Sequence, residues 1–189
     1  MPTRPTPTRP TLVVVSGPPA TGKTTLAHSL ARELGCPAII RDEIKQGMVM
    51  NTPDHVADGQ DRLDIPAMHA FFTTLTVLLR AGVTVVAEAA YQDRLWRPGL
   101  EPLTELAELR VIRCATTTRT IVERVTRRAA TDGHRAAHGD RQLLTDIATG
   151  TYSPDAFVDI SLDALTLTVD TSDGYRPDTP EIAAFVRAR

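Results

Sequence analysis

The sequence predicts an α/β fold: a doubly wound, mostly parallel five-stranded sheet in a single domain. Short β-branched runs alternate with amphipathic segments along the chain, the rhythm of parallel strands, which need crossover helices between them. The chain has 189 residues, 42% apolar and 23% charged, enough for one ordinary core and cramped for two. Its longest apolar runs, such as 12–15 and 83–90, fall far short of the roughly 18 residues a spanning helix needs, so no membrane partner is expected.

Residues 1–10 hold four prolines and two arginines without an apolar stretch and are expected to be a disordered tail, leaving 11–189 as the domain. Residues 12–16 form a β-branched run that meets Gly17 and two prolines, the signature of a buried strand leaving its sheet. A helix over 24–34 follows, with Leu26, Ala27, Leu30 and Leu34 on one face and Gly35 as its stop. A strand over 36–40 and a helix over 42–50 come next, then a polar connection over 51–61 containing Pro53 and Gly59. The helix over 66–80 carries Met68, Phe71, Phe72, Leu75, Leu78 and Leu79, and Gly82 turns the chain into a strand over 83–88. Strands over 109–114 and 165–169, an Arg-rich helix over 118–130 and a terminal helix from about Thr179 complete the alternation.

Twenty-one basic residues oppose 23 acidic ones, a net charge of −2, so any contact with nucleic acid has to be local. Cys36 and Cys114 are the only cysteines and no secretory signal precedes them, which favours reduced, structural thiols and a cytoplasmic setting. No G-x-S-x-G elbow supports a serine hydrolase. His134 and His138 are four apart, but no H-E-x-x-H pattern accompanies them and glycines flank them, so lid contacts or plain surface are favoured over zinc.

Gly17, Pro18, Pro19, Ala20, Thr21, Gly22, Lys23 and Thr24 fit G-x-x-x-x-G-K-[ST] between an expected strand and an expected helix, the context a phosphate-binding loop requires. Glycines let main-chain amides curl around a phosphate, and the helix dipole adds positive charge at the same point. Lys23 is expected to reach the β and γ phosphates, and the Thr24 hydroxyl to ligate Mg²⁺, with Thr25 next to it in the nucleotide-binding set. The loop implies a nucleoside triphosphate, ATP or else GTP, without naming the reaction.

The second strand ends at Arg41, Asp42, Glu43, Ile44 and Lys45. Ligands sit at the carboxyl ends of strands in such sheets, which places Asp42 near the γ-phosphate as a candidate general base. Lys45, one helical turn later, is a candidate for neutralising charge or holding substrate, while a capping role is the competing reading of Asp42. No run of apolar residues closes on Asp-Glu as a motor ATPase would show.

The segments GPPATGKTT and IIRDEIKQGM resemble the P-loop kinases that include polynucleotide 5′-hydroxyl kinase, chloramphenicol phosphotransferase and the zeta toxins. The resemblance runs over most of the chain from Leu12 onward. It implies that Asp42 is the base and Lys45 the acceptor contact, with Lys standing where the polynucleotide kinase has Arg. It also implies that Glu88, at the end of the third strand, lies near Mg²⁺ or substrate, with ion pairing or capping as the competing role. Arg119, Arg124, Arg127, Arg128 and Arg135 cluster with Gly133 and Gly139 in the manner of an Arg-rich lid over about 127–141. By the same likeness Arg128, then Arg124, touches the ATP phosphates, and Arg119 covers adenine, with residues 171–174 on its other face.

Tyr91 and Trp96 follow the third strand on the substrate side and are candidates for enclosing an acceptor, or equally for filling the core. With so few aromatics a stacking groove for polynucleotide is less favoured than a pocket for a small molecule bearing a hydroxyl. The expectation is therefore a Mg²⁺-dependent phosphotransferase moving the γ-phosphoryl group of ATP to such a hydroxyl, with Lys23, Asp42, Arg128 and Arg124 as catalytic residues. A polynucleotide 5′-hydroxyl kinase and a non-catalytic nucleotide sensor are the alternatives, and the oligomeric state is left open.

Overall fold

The computed structural model of the protein describes residues 9–52, 61–131, 140–152 and 160–188, with side chains undescribed at 128–131 and 140–142. Strand β1 (Thr11–Ser16) passes through the phosphate-loop motif into α1 (Lys23–Leu34), then β2 (Ala38–Ile40) and α2 (Arg41–Met50). Next come α3 (Asp64–Arg80), β3 (Val85–Glu88), α4 (Asp93–Leu100) and a 3-10 turn (Glu101–Glu105). The chain continues through β4 (Glu108–Ala115), α5 (Thr118–Thr131), α6 (Asp140–Ala148), β5 (Leu165–Asp170) and α7 (Thr179–Arg187).

The strands lie in the order β2-β3-β1-β4-β5 and every pair is parallel. The chain reverses its direction of winding at β1, and this is where ligands bind in doubly wound sheets. Central strands are apolar on both faces, as burial between helix layers demands. Leu12, Val14, Val85, Ala87 and Val111 pack with α3 and α4, while Val13, Val15, Val86, Ile112 and Cys114 pack with α1 and α7. Helix α3 reaches the sheet through Ala67, Phe71, Leu75 and Leu79, spaced four apart on one stripe. A third small cluster joins Ala20 of the phosphate loop to Ile121 and Val125 of α5, with Leu143, Leu144 and Ile147 of α6 packed against it. Among the described residues no helix is long and apolar enough to cross a membrane.

The strands and helices expected from the sequence are present, with ends shifted by one to a few residues. Two helices were not anticipated. Helix α4 contains Pro98 and buries only Trp96 and Leu100, one turn apart, too few apolar positions to stand out by periodicity. Helix α6 starts at the end of the segment read as lid, about 127–141, and runs beyond it, where its apolar residues Leu143, Leu144 and Ile147 were an available signal. The tail expected over 1–10 is shorter where it is described: Arg9 Nη2 donates to the Thr104 carbonyl at 2.6 Å, and the Pro10 carbonyl accepts from the Glu108 amide at 2.9 Å. Residues 1–8, and His55, His134, Arg135 and His138, lie outside the described residues.

Tyr91 and Trp96 are corrected from acceptor contacts to core. Tyr91 is fully enclosed and Trp96 nearly so, and both meet Phe71, at ring-centre distances of 6.3 and 5.9 Å. The side chains turn inward because Phe71 and Phe72 of α3 offer an apolar surface directly beneath the end of β3. The Tyr91 hydroxyl is buried with no hydrogen-bond partner among the described residues, a desolvation penalty of about 1–3 kcal/mol. Tyr91→Phe is therefore expected to leave stability unchanged or raise it by about 1 kcal/mol, measured by denaturant unfolding; a loss of more than this would show that the hydroxyl is stabilising.

Candidate active site

The phosphate loop is shaped by two close approaches. Gly17 has φ +137°, and a Cβ built there would lie 2.3 Å from the Cys114 carbonyl oxygen at the end of β4, so only glycine lets the loop pass. Gly22 precedes α1 in the left-handed region, φ +81°, and no side chain caps the helix. The first amides of α1 are thus left facing the loop, and with no acidic residue in the first turn nothing local competes with an anion for them. The Pro18 carbonyl accepts from Lys23 Nζ at 2.8 Å and from Thr21 Oγ1 at 2.9 Å, which folds the loop on itself.

Sheet order brings a carboxylate to this loop. Glu88 is the last residue of β3 and lies in register with Val15 of β1 on one side and Ile40 of β2 on the other. It is 3% exposed and accepts a hydrogen bond from Thr24 Oγ1 at 2.8 Å. Burial pushes its carboxyl above the ordinary value, with the charge of Lys23 and the Thr24 hydroxyl opposing the rise and the carboxylates of Asp42 and Glu43 adding to it. Asp42 therefore stands within electrostatic reach of Glu88, in the first turn of α2. It is not the helix cap, a position that falls to Ile40. Its side chain is 38% exposed and accepts from Arg41 Nη1 at 3.0 Å.

The expected role of Lys45 as an acceptor contact is corrected. Its ammonium is buried and paired with Asp61 at 2.6 Å and Asp64 at 2.9 Å. Arg41, which sequence reasoning did not select, bridges Asp42 and Asp64 through its two terminal nitrogens. Asp61 ends the polar connection and Asp64 opens α3, with no spacing signal that links them to α2.

The arginines separate by helix face. The Arg119 side chain is 87% exposed, pairs with Glu123 at 3.7 Å and is not among the residues that line the cavity beside the loop. Arg124 faces the loop, donating to the Ala20 carbonyl at 3.3 Å, to Thr171 Oγ1 at 3.4 Å and to the Thr171 carbonyl. Arg124 and Arg127 border a cavity of about 380 Å³ with Gly22, Thr25, Gly174 and Tyr175. Thr171 and Gly174 thus adjoin the loop, Arg127 stands at the start of the segment expected as lid, and Tyr175 is the lining residue that sequence reasoning did not name. The Arg128 side chain lies outside the described residues.

The family profile of the AAA domain AAA_33 matches residues 12–149, nearly three quarters of the chain and the whole of the loop, Glu88 and α5. The chain belongs to this family of P-loop kinases. Among solved structures, a candidate kinase from Chloroflexus aurantiacus is 26% identical with a TM-score of 0.81, covering 95% of this chain and 98% of that one. The shikimate kinase of Acinetobacter baumannii in complex with shikimate is 18% identical with a TM-score of 0.54, over 95% and 92% of the two chains. The Mycobacterium tuberculosis APS kinase CysC in complex with AMPPNP and APS is 17% identical, with a TM-score of 0.57, over 95% and 96%. The last two likenesses are likenesses of fold. A search of curated proteins finds no match to the sequence.

The raised Glu88 carboxyl ties the stability of this P-loop kinase to pH. A carboxyl raised in the folded state binds its proton more tightly than in the unfolded chain, so folding is favoured at low pH and loses that contribution as pH climbs from the ordinary value of 4.5 through the raised one. Glu88→Gln, which keeps an oxygen for Thr24 and removes the buried charge, is expected to melt higher than the native protein at pH 7 by a few degrees, on the order of 2–4 °C. The gap should narrow toward pH 4.5 in thermal melts across that range, and a gap that widens on acidification would refute the assignment.

Proposed function

We propose that the protein transfers the γ-phosphoryl group of ATP to a hydroxyl group of a small molecule, with Mg²⁺ as its metal ion. The observation that carries this reading is the convergence of Thr24, Glu88 and Asp42 at the open N-terminus of α1. Main-chain amides of the loop and Lys23 would hold the phosphates of the donor. The Thr24 hydroxyl and the Glu88 carboxylate, 2.8 Å apart, are hard oxygen donors of the kind Mg²⁺ takes, directly or through its waters. When bound, the ion supplies positive charge to offset what develops on the phosphoryl oxygens.

Asp42 is the partly exposed carboxylate within electrostatic reach of this pair, and it accepts the proton of the attacking hydroxyl. A bond forms between the acceptor oxygen and the γ-phosphorus, the bond from that phosphorus to the β–γ bridging oxygen breaks, and ADP leaves. Arg124, fixed on the Ala20 and Thr171 carbonyls, is placed to steady the nucleotide end, and Arg127 lines the same cavity. Arg128 stays in this reading through the family resemblance alone. A small acceptor is favoured over polynucleotide because Tyr91 and Trp96 lie in the core and offer no face on which bases could stack.

Asp42→Asn is expected to hold nucleotide affinity within about twofold and to lower the transfer rate by about 10²–10⁴, the usual contribution of a general base. Calorimetry with ADP and assays with labelled ATP separate the two effects. Transfer that survives at the native rate would remove Asp42 from the reaction.

A further inference from the structure

The side chains around Asp42 define the charge of the molecule it can activate, an inference that rests on the reading of Asp42 as the base. Two cations flank it on the acceptor side, and either could have held a phosphate or carboxylate. Both are already neutralised. The Arg41 guanidinium, 14% exposed, places Nη1 on Asp42 at 3.0 Å, and Nη2 on both the carboxylate of Asp64 and, at 3.2 Å, its main-chain carbonyl. The buried Lys45 ammonium is held between Asp61 and Asp64. Among the described residues, each of these two cations thus meets two carboxylates.

Among the described residues, an anionic acceptor beside Asp42 would have to draw Lys45 from the buried Asp61, leaving that carboxylate uncompensated, which is strongly unfavourable, or take Arg41 from both Asp42 and Asp64. Arg113, half-buried near the end of β4, also has a partner. Arg62 and Arg94 are exposed, where an ion pair is worth little. Ligands that donate hydrogen bonds meet the reverse situation. Asp42 and Asp64 sit on the two prongs of one guanidinium fork, and the Asp64 side chain keeps 45% of its surface, so its carboxylate is open to a hydroxyl or ammonium group next to the one that Asp42 meets.

We propose that the acceptor is a polyol without acidic groups, either neutral or amine-bearing, and that Asp64 determines this specificity. Asp64 binds the hydroxyl or ammonium group next to the hydroxyl that Asp42 deprotonates, and Arg41 sets the spacing between the two carboxylates.

The test uses the full-length protein with labelled ATP and Mg²⁺ and offers common frameworks in different charge states. Hexoses, hexitols, inositol, nucleosides and amino sugars are set against uronates, aldonates, sugar phosphates and a 5′-hydroxyl oligonucleotide. The expected result is a kcat/KM at least about tenfold higher for the best neutral or amine-bearing acceptor than for its acidic counterpart. An acidic or phosphorylated member as the best acceptor would overturn this inference and leave the phosphotransferase reading standing. Absence of transfer to every member would overturn both. Asp64→Asn is expected to raise the KM of the preferred acceptor about tenfold with kcat changed less than about threefold, and to lower the KM of the matching uronate, with Asp64→Glu restoring part of the preference. An unmoved KM in a variant with a native melting curve would also overturn the proposal, and if neither variant folds the native panel decides.

Discussion

A carboxyl group buried beside the opening of a helix is the constraint on which the site depends. Glu88 is almost wholly removed from water, a situation tolerable only with partners. The Thr24 hydroxyl supplies a hydrogen bond and Lys23 supplies opposing charge. Both partners belong to the first turn of α1, so the contact exists only because β3 is inserted between β2 and β1. Had the strands been laid down in chain order, β2 would adjoin β1 and Glu88 would be a strand further from the phosphate loop.

The phosphate loop was legible because its chemistry is local: a strand, eight residues and a helix contain everything that shapes its amides. The sheet was legible for a related reason, since strands buried on both faces read as unbroken apolar runs. What the sequence did not disclose lies in contacts between distant segments. Lys45 presents the same spacing from Asp42 whether it faces a substrate or a carboxylate, and the deciding residues, Asp61 and Asp64, come from the far end of a polar connection and the start of α3. Tyr91 and Trp96 follow β3 at the height of a ligand pocket, yet the aromatic surface of α3 beneath them decides where they go.

The arginines of α5 show the same limit in a form that periodicity could have resolved. Arg119 stands just after a strand at the start of α5, and a helix assigns faces by rotation. Five residues, the interval from Arg119 to Arg124, turn the helix by about 500°, which brings the second side chain round to a different direction. Arg124 and Arg127 lie three apart and both border the cavity.

The approach of Gly17 to the Cys114 carbonyl has a bearing on when the cradle comes into being. Its amino acids leave the ribosome nearly a hundred residues ahead of the strand against which the loop leans. A nascent chain halted before β4 would carry the whole signature of a nucleotide site without the surface that shapes it. The shape of the cradle thus belongs to the pairing of distant strands and waits for β4, not for the loop itself.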